Sequence, residues 1–150
     1  MPQKKCTHIP ENSTPLQEKF INYLMEGGKK NTARKIFKQT IKNMSEKDMY
    51  PEKMFEKAIE NIRPNLEVRA KRIGGAVYQI PVEVKPDRQI ALAFRWIIGA
   101  SRLKKGSPMA KRLSDELVAA AHGEGTAMKK KEDTLKMAMA NKAFAHYAKY

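Results

Sequence analysis

The stretch LEVRAKRIGGAVYQIPVEV, residues 66–84, decides the architecture. It is rich in Val and Ile and is interrupted at its middle by Gly74-Gly75. Two β-prone runs joined by two glycines predict a hairpin with a tight primed turn, because the central positions of such turns need positive φ. With the glycines as turn residues, Ile73 faces Ala76, Lys71 faces Tyr78, Arg69 faces Ile80 and Val68 faces Pro81. Hydrogen-bonded pairs alternate with non-bonded ones, starting from the pair that flanks the turn. Pro81 then falls on a non-bonded pair, and its missing N–H is directed away from the partner strand. Proline is tolerated there because both strands of a ribbon are edges.

Successive side chains point to opposite faces, so Arg69 and Lys71 share one face and Arg72 lies on the other. Cations on both faces do not suit a ribbon sunk in a core. They suit a ribbon pushed into a nucleic acid, and two-stranded ribbons do enter grooves. A lone hairpin is also marginal in water, so a partner is expected. The plainer alternative is a solvent-exposed hairpin capping the helices. Tyr78 is the candidate for stacking on a base.

Upstream, the period is helical. Thr14-Pro15 is a capping residue followed by proline at the first helical position. Leu16, Phe20 and Leu24 follow, and Gly27-Gly28 is the predicted stop. A second helix is expected from about Asn31, with Ala33, Ile36, Phe37, Thr40, Ile41 and Met44 as its apolar stripe. A third begins near Pro51, buries Met54, Phe55, Ala58, Ile59 and Ile62, and stops at Pro64. Downstream, Pro86-Asp87 opens a fourth helix and Ser107-Pro108 a fifth, which closes at Gly123 and Gly125. A last helix is expected to start between Thr126 and Asp133 and run toward Tyr147. The expected fold class is mainly α: about six helices, with a protruding two-stranded β-hairpin between helices three and four. Residues 1–13 read as a flexible arm carrying Lys4 and Lys5, and 14–150 as a single helical domain.

Thirty Lys and Arg against sixteen Asp and Glu leave a net charge of +14 on 150 residues. A compact domain this basic repels itself, and nucleic acid is the polyanion that answers such an excess. No apolar run reaches membrane-spanning length and no lipidation signal is present, so no membrane partner is expected. Cys6 is the only cysteine, which rules out an internal disulfide and fits a reducing compartment. The N-terminus lacks the apolar stretch of a signal peptide. The expectation is a protein that works where it is made, or one from which an import signal has been removed.

Nothing in the pattern reads as an enzyme. His8, His122 and His146 fall on different predicted elements. Cys6 and His8 supply two metal ligands at most, with no second pair at ligand spacing. No phosphate loop, dinucleotide fingerprint or nucleophile elbow occurs. Asp115-Glu116 and Glu132-Asp133 read as solubilising charge beside lysines. No cofactor is expected.

The basic residues have a pattern of their own. Lys29-Lys30 sits beyond the Gly-Gly stop, and Arg34 and Lys35 follow on the next helix. Arg88, Arg95 and Arg102 recur every seventh residue, so they share one face of the fourth helix, with no acidic stripe beside them. Phe20, Phe37, Phe55, Phe94 and Trp96 are assigned to the core, and the methionines to adaptable core filling. Lys129-Lys130-Lys131 reads as a solvated run. On residue chemistry alone, a histone-like architectural DNA-binding protein fits as well.

The segments FINYLMEGGKK (20–30), VRAKRIGGAVYQIPVEVKPDRQIALAFRWI (68–97) and KKKEDTLKMAMANKAFAHY (129–147) go further. Together they resemble the bacterial-type family of small-subunit ribosomal protein seven, over roughly residues 16–147. The resemblance implies a structural constituent of the small subunit that binds the 3′ major domain of its ribosomal RNA and nucleates assembly of the head. It implies a hairpin and C-terminal region near exit-site tRNA and messenger RNA, and neighbours that include small-subunit protein eleven and other head proteins. It assigns RNA contacts to Gly28, Lys29 and Lys30, to Arg69, Lys71 and Arg72 around Gly74 and Gly75, and to Arg88, Arg95 and Arg102. Lys136 and Lys142 are expected to face tRNA or a neighbouring protein. The implied location is the ribosome of a bacterial cytoplasm or of a plastid or mitochondrial matrix.

Overall fold

The computed structural model describes residues 9–149. Helix α1 (Pro15–Leu24) opens with a reciprocal cap. Thr14 Oγ1 accepts from the Gln17 N–H at 3.2 Å, and the Thr14 N–H donates to Gln17 Oε1 at 3.4 Å. The helix stops at Leu24, earlier than the glycines suggest. Met25 is already extended, and Gly27 and Gly28 at φ 59° and 73° make the turn into α2 (Lys30–Ser45). Helix α3 (Pro51–Ile62) follows, then strands β1 (Leu66–Ile73) and β2 (Ala76–Glu83). The chain continues through α4 (Pro86–Leu103), α5 (Met109–Ala121) and α6 (Thr126–Ala140). It ends, among the described residues, in a 3₁₀ segment, Lys142–Lys149.

The fold is mainly helical with one antiparallel ribbon between α3 and α4, as expected. Its register is the expected one at every pair, from Ile73 opposite Ala76 to Val68 opposite Pro81. Gly74 and Gly75 take φ 57° and 87°, the conformation that side chains with a Cβ resist.

The core forms where the helical stripes meet. Phe20, Phe55 and Phe94 are fully buried, and Phe37 nearly so. Phe20 is the hub, its ring centroid 5.1 Å from Phe94, 5.3 Å from Phe55 and 5.7 Å from Phe37. The tilted and edge-on geometries place positive ring edges on negative faces, about 0.5–1.5 kcal/mol per pair beyond area burial. Helix α5 fills the other side with Leu113, Leu117 and Ala120 and packs on α2, α3 and α4. Trp96 lies half-buried against this cluster.

Four expectations need correction. The last helix does not run to Tyr147: it stops at Ala140, where the Asn141 side-chain amide and backbone N–H both donate to Met137 O. Glu116 is not solubilising charge but fully buried. Its Oε1 accepts the Ala127 N–H at 2.9 Å, which caps the start of α6, and its Oε2 lies 2.9 Å from Lys104 Nζ. That ion contact falls outside hydrogen-bonding geometry, so Oε2 has a charge partner and no hydrogen bond. Lys131 is not simply solvated: it donates to Asn61 O at the end of α3. The methionines divide, with Met44 and Met54 in the core and Met49, Met137 and Met139 exposed.

Candidate nucleic-acid interface

Arg88, Arg95 and Arg102 all lie exposed along α4. Fourteen residues of helix span about 21 Å, and a seven-residue spacing drifts by only about 20° per step. The three therefore form one stripe. It has no acidic stripe on its own helix, but each arginine meets a group from another element. Arg88 Nε is 3.5 Å from Glu67 Oε2 of β1. Arg95 lies over the Tyr23 ring, 5.7 Å from its centroid. Arg102 is 3.0 Å from Glu26 and reaches Leu24 O. The stripe thus runs from the base of the ribbon to the end of α1.

At that end it meets the turn before α2. Lys29 and Lys35 are exposed there, while Lys30 and Arg34 share the buried carboxylate of Glu18 at 3.6 and 2.9 Å. Burial alone pushes the Glu18 carboxyl up. Hydrogen bonds from Arg34 and Ser13, with the charges of Arg34 and Lys30, outweigh it and hold the group below its ordinary value. An open cleft of about 550 Å³ lies between these elements, its lining including apolar Leu24, Met25, Ile36 and Met109 as well as Lys29, Arg102, Arg112 and Glu26. Arg112, which the sequence pattern did not single out, donates to Lys104 O, Ser101 O and Arg102 O. It thereby satisfies the free carbonyls at the end of α4.

The ribbon offers its two faces unequally. One face is covered by the C-terminal 3₁₀ segment. Tyr78 packs 5.1 Å from Phe144 and 5.5 Å from Tyr147 between ring centroids, and Lys71 Nζ donates to Tyr147 O at 3.1 Å. The ring read from sequence as a stacking platform is therefore half-buried against the chain's own aromatics. The other face stays open at the outer half, where Ala70, Arg72, Val77 and Gln79 are exposed. Arg69 shares the covered face near the base but remains 63% exposed, its guanidinium on Glu67 at 2.8 Å. Gly74 and Gly75 form the exposed tip.

Lys30, Arg34 and Arg102 are thus brought to one end of α4 and Arg69 and Arg88 to the other, with Arg95 between them. Lys136 and Lys142 are exposed on α6 and the 3₁₀ segment, which pack against the ribbon. Lys4 and Lys5 lie outside the described residues. Among the described residues, no group of three His, Cys, Asp or Glu is placed to hold a metal, and no helix is long and apolar enough to cross a membrane. The pattern missed the acids: Glu18 and Glu67 look like ordinary surface charge, and only burial reveals them as partners of the cations.

A helical body, a ribbon and a stripe of arginines, with buried carboxylates Glu67 and Glu18 near its two ends, define the class: a mainly helical protein that presents charge. The family described as "Ribosomal protein S7p/S5e" matches residues 1–142, and the chain belongs to that family of structural, non-enzymatic proteins of translation. It is 56% identical over 148 residues to the "Small ribosomal subunit protein uS7" of a Nitratiruptor species, covering 97% of this chain and 95% of the relative. The protein of the same description from Nitratidesulfovibrio vulgaris is 49% identical over 98% of this chain and 95% of its own length. That from Pseudothermotoga lettingae is 51% identical over 95% and 93%.

Proposed function

We propose that the chain, acting as one unit from residue 14 onward, binds the 3′ major domain of small-subunit ribosomal RNA and nucleates assembly of the head. The observation that carries this reading is the continuity of exposed cations along α4. Lys29, Lys35 and Arg102 lie at one end with the half-buried Lys30 and Arg34, Arg95 on the shaft, Arg88 and Arg69 at the other end, and Arg72 on the open face of the ribbon. Such a surface fits a multi-helix RNA junction, because scattered contacts do not fix the orientation of a whole domain. Phosphate contacts dominate and position the protein, and few base edges are read. Lys136 and Lys142 lie toward exit-site tRNA and messenger or a neighbouring head protein, small-subunit protein eleven among them. The setting is the ribosome of a bacterial cytoplasm or of a plastid or mitochondrial matrix, and the bacterial relatives favour the first.

Filter binding to a transcript of the 3′ major domain, titrated across salt, tests the proposal. Affinity should fall steeply with salt. Equal preference for duplex DNA would favour an architectural DNA-binding role instead. Replacing Arg69, Lys71 and Arg72 together by Ala should keep the helical circular dichroism and weaken binding, with ~1–3 kcal/mol per strong contact as the upper guide. Because Lys71 is tied to Tyr147 O and Arg72 faces solvent, Arg72→Ala alone should cost more than Lys71→Ala. The opposite order would remove the open ribbon face from the interface.

A further inference from the structure

A surface that attracts a polyanion gains no long-range attraction from a carboxylate set beside its cations, even in a protein that carries +14. Glu67 is nevertheless there, at the base of the ribbon, with only 7% of its surface exposed. Its two oxygens are divided between two elements. Oε1 accepts from Arg69 Nε at 3.0 Å and lies 2.8 Å from Arg69 Nη2, while Oε2 faces Arg88 Nε of α4 at 3.5 Å. Among the described residues, Arg69 Nη1 and the terminal nitrogens of Arg88 donate no hydrogen bond, and the Arg88–Glu67 approach is an ion contact. Their side chains remain 63% and 42% exposed.

We infer that Glu67 is a positioning residue of the RNA-binding surface: a buried acid that clamps Arg69 and Arg88 into one rigid, solvent-facing pair before RNA arrives. The inference rests on the RNA-binding reading above. Its physical basis is entropy. A free arginine loses the motion of several rotatable bonds when it docks on a phosphate, and each such loss weakens binding. A clamp formed in the free protein shifts that loss to folding. It also fixes the separation between ribbon and α4, so two phosphates can be met at a set spacing. The same construction recurs at the other end of the stripe, where buried Glu18 holds Arg34 and Lys30. Two buried acids, Glu67 holding Arg69 and Arg88 and Glu18 holding Arg34 and Lys30, make the arrangement a repeated device.

The test exploits a disagreement in sign. Glu67→Gln removes a negative charge, so electrostatics alone makes the variant bind RNA more tightly and with a steeper salt dependence. Positioning makes it bind more weakly, by roughly three- to tenfold, the size of the ordering cost of one or two long side chains. The full-length protein is titrated with the 3′ major domain transcript, and circular dichroism fixes the folded fraction of every variant. The loss should vanish when Glu67→Gln is made in an Arg69→Ala/Arg88→Ala background, because nothing is left to position. A general structural defect would persist there. Arg69→Lys/Arg88→Lys supplies a second arm that leaves the buried carboxylate in place: it keeps both charges, loses the planar forks, and should weaken binding to a similar degree. NMR of the arginine Nε–H groups of the RNA-free wild type reads the clamp directly, with Arg69 and Arg88 expected to be rigid. Tighter or unchanged binding by Glu67→Gln overturns the inference, as does mobile Nε–H in the wild type or a loss that survives in the double-alanine background. Failure of the wild type to bind the transcript, with rigid Nε–H groups, would strike the RNA reading itself and so is told apart.

Discussion

Replacing Glu116 by Ala should remove about 2–3 kcal/mol of folding stability. The carboxylate is fully buried, and its Oε1 is the acceptor for the Ala127 N–H at the start of α6. Truncation leaves that N–H without a partner away from water, which costs about 1–3 kcal/mol. It also removes one buried methylene, Cγ, worth about 0.8 kcal/mol. Against this, the buried charge disappears, and Lys104, whose side chain is 40% exposed, swings into solvent with little penalty. Glu116→Gln keeps both the volume and the Oε1 acceptor and should cost no more than about 1 kcal/mol. Urea unfolding followed at the helical circular dichroism band measures both, with a lower midpoint and an unchanged slope expected for Glu116→Ala. Hydrogen exchange should loosen first at the opening turn of α6. Gly125 reports on the same contact, because at φ +98° an added Cβ falls 3.0 Å from Glu116 Oε1. Gly125→Ala should therefore be less harmful in the Glu116→Ala background than alone. A Glu116→Ala variant within about 0.5 kcal/mol of wild type, or a Glu116→Gln variant as unstable as Glu116→Ala, would refute the capping argument.

Two further outcomes follow from other contacts. Because the folded Glu18 carboxyl sits below its ordinary value of 4.5, its contribution is fully present above that value and is lost as pH falls through the folded pKa. The stability gap between wild type and Glu18→Gln should accordingly be widest near neutral pH and close on acidification, and a gap that widened in acid would contradict the assignment. Tyr78→Ala should release the C-terminal segment while leaving the helical body intact, for a loss of about 0.5–1.5 kcal/mol per aromatic contact. Hydrogen exchange over residues 142–149 reads this, and unchanged protection there would mean that the rings do not hold the segment.

The hairpin was legible in the sequence to the level of individual pairs, because local chemistry specifies it. Two glycines demand a positive-φ turn, and Pro81 permits only certain registers. The apolar stripes of α2 and α3 were legible for the same reason: helical period alone predicts which side chains meet. Contacts between distant segments were not. Glu116, next to Asp115 in sequence, lies on the packed Leu113–Leu117–Ala120 face of α5, yet only the fold reveals that its partners there are Lys104 and the Ala127 N–H. The ending KAFAHY looks helical, and nothing near it announces that Phe144 and Tyr147 will cross to Tyr78. At the candidate site, the cations were found by their spacing. The acids that hold them were not, since Glu18 and Glu67 acquire their role only through burial.

The bond from Lys71 to Tyr147 O closes a loop of 76 residues. In a chain that emerges from its N-terminus, the ribbon is finished long before the segment that covers it. At roughly 5–20 residues per second, its Tyr78 face waits about 4–15 s uncovered, with two open strand edges. Bare edges with apolar neighbours invite pairing with other chains, and charged side chains are the usual defence. Arg69, Lys71 and Arg72 are in place from the moment the hairpin forms, so the waiting strands already carry the charge that opposes pairing with other chains.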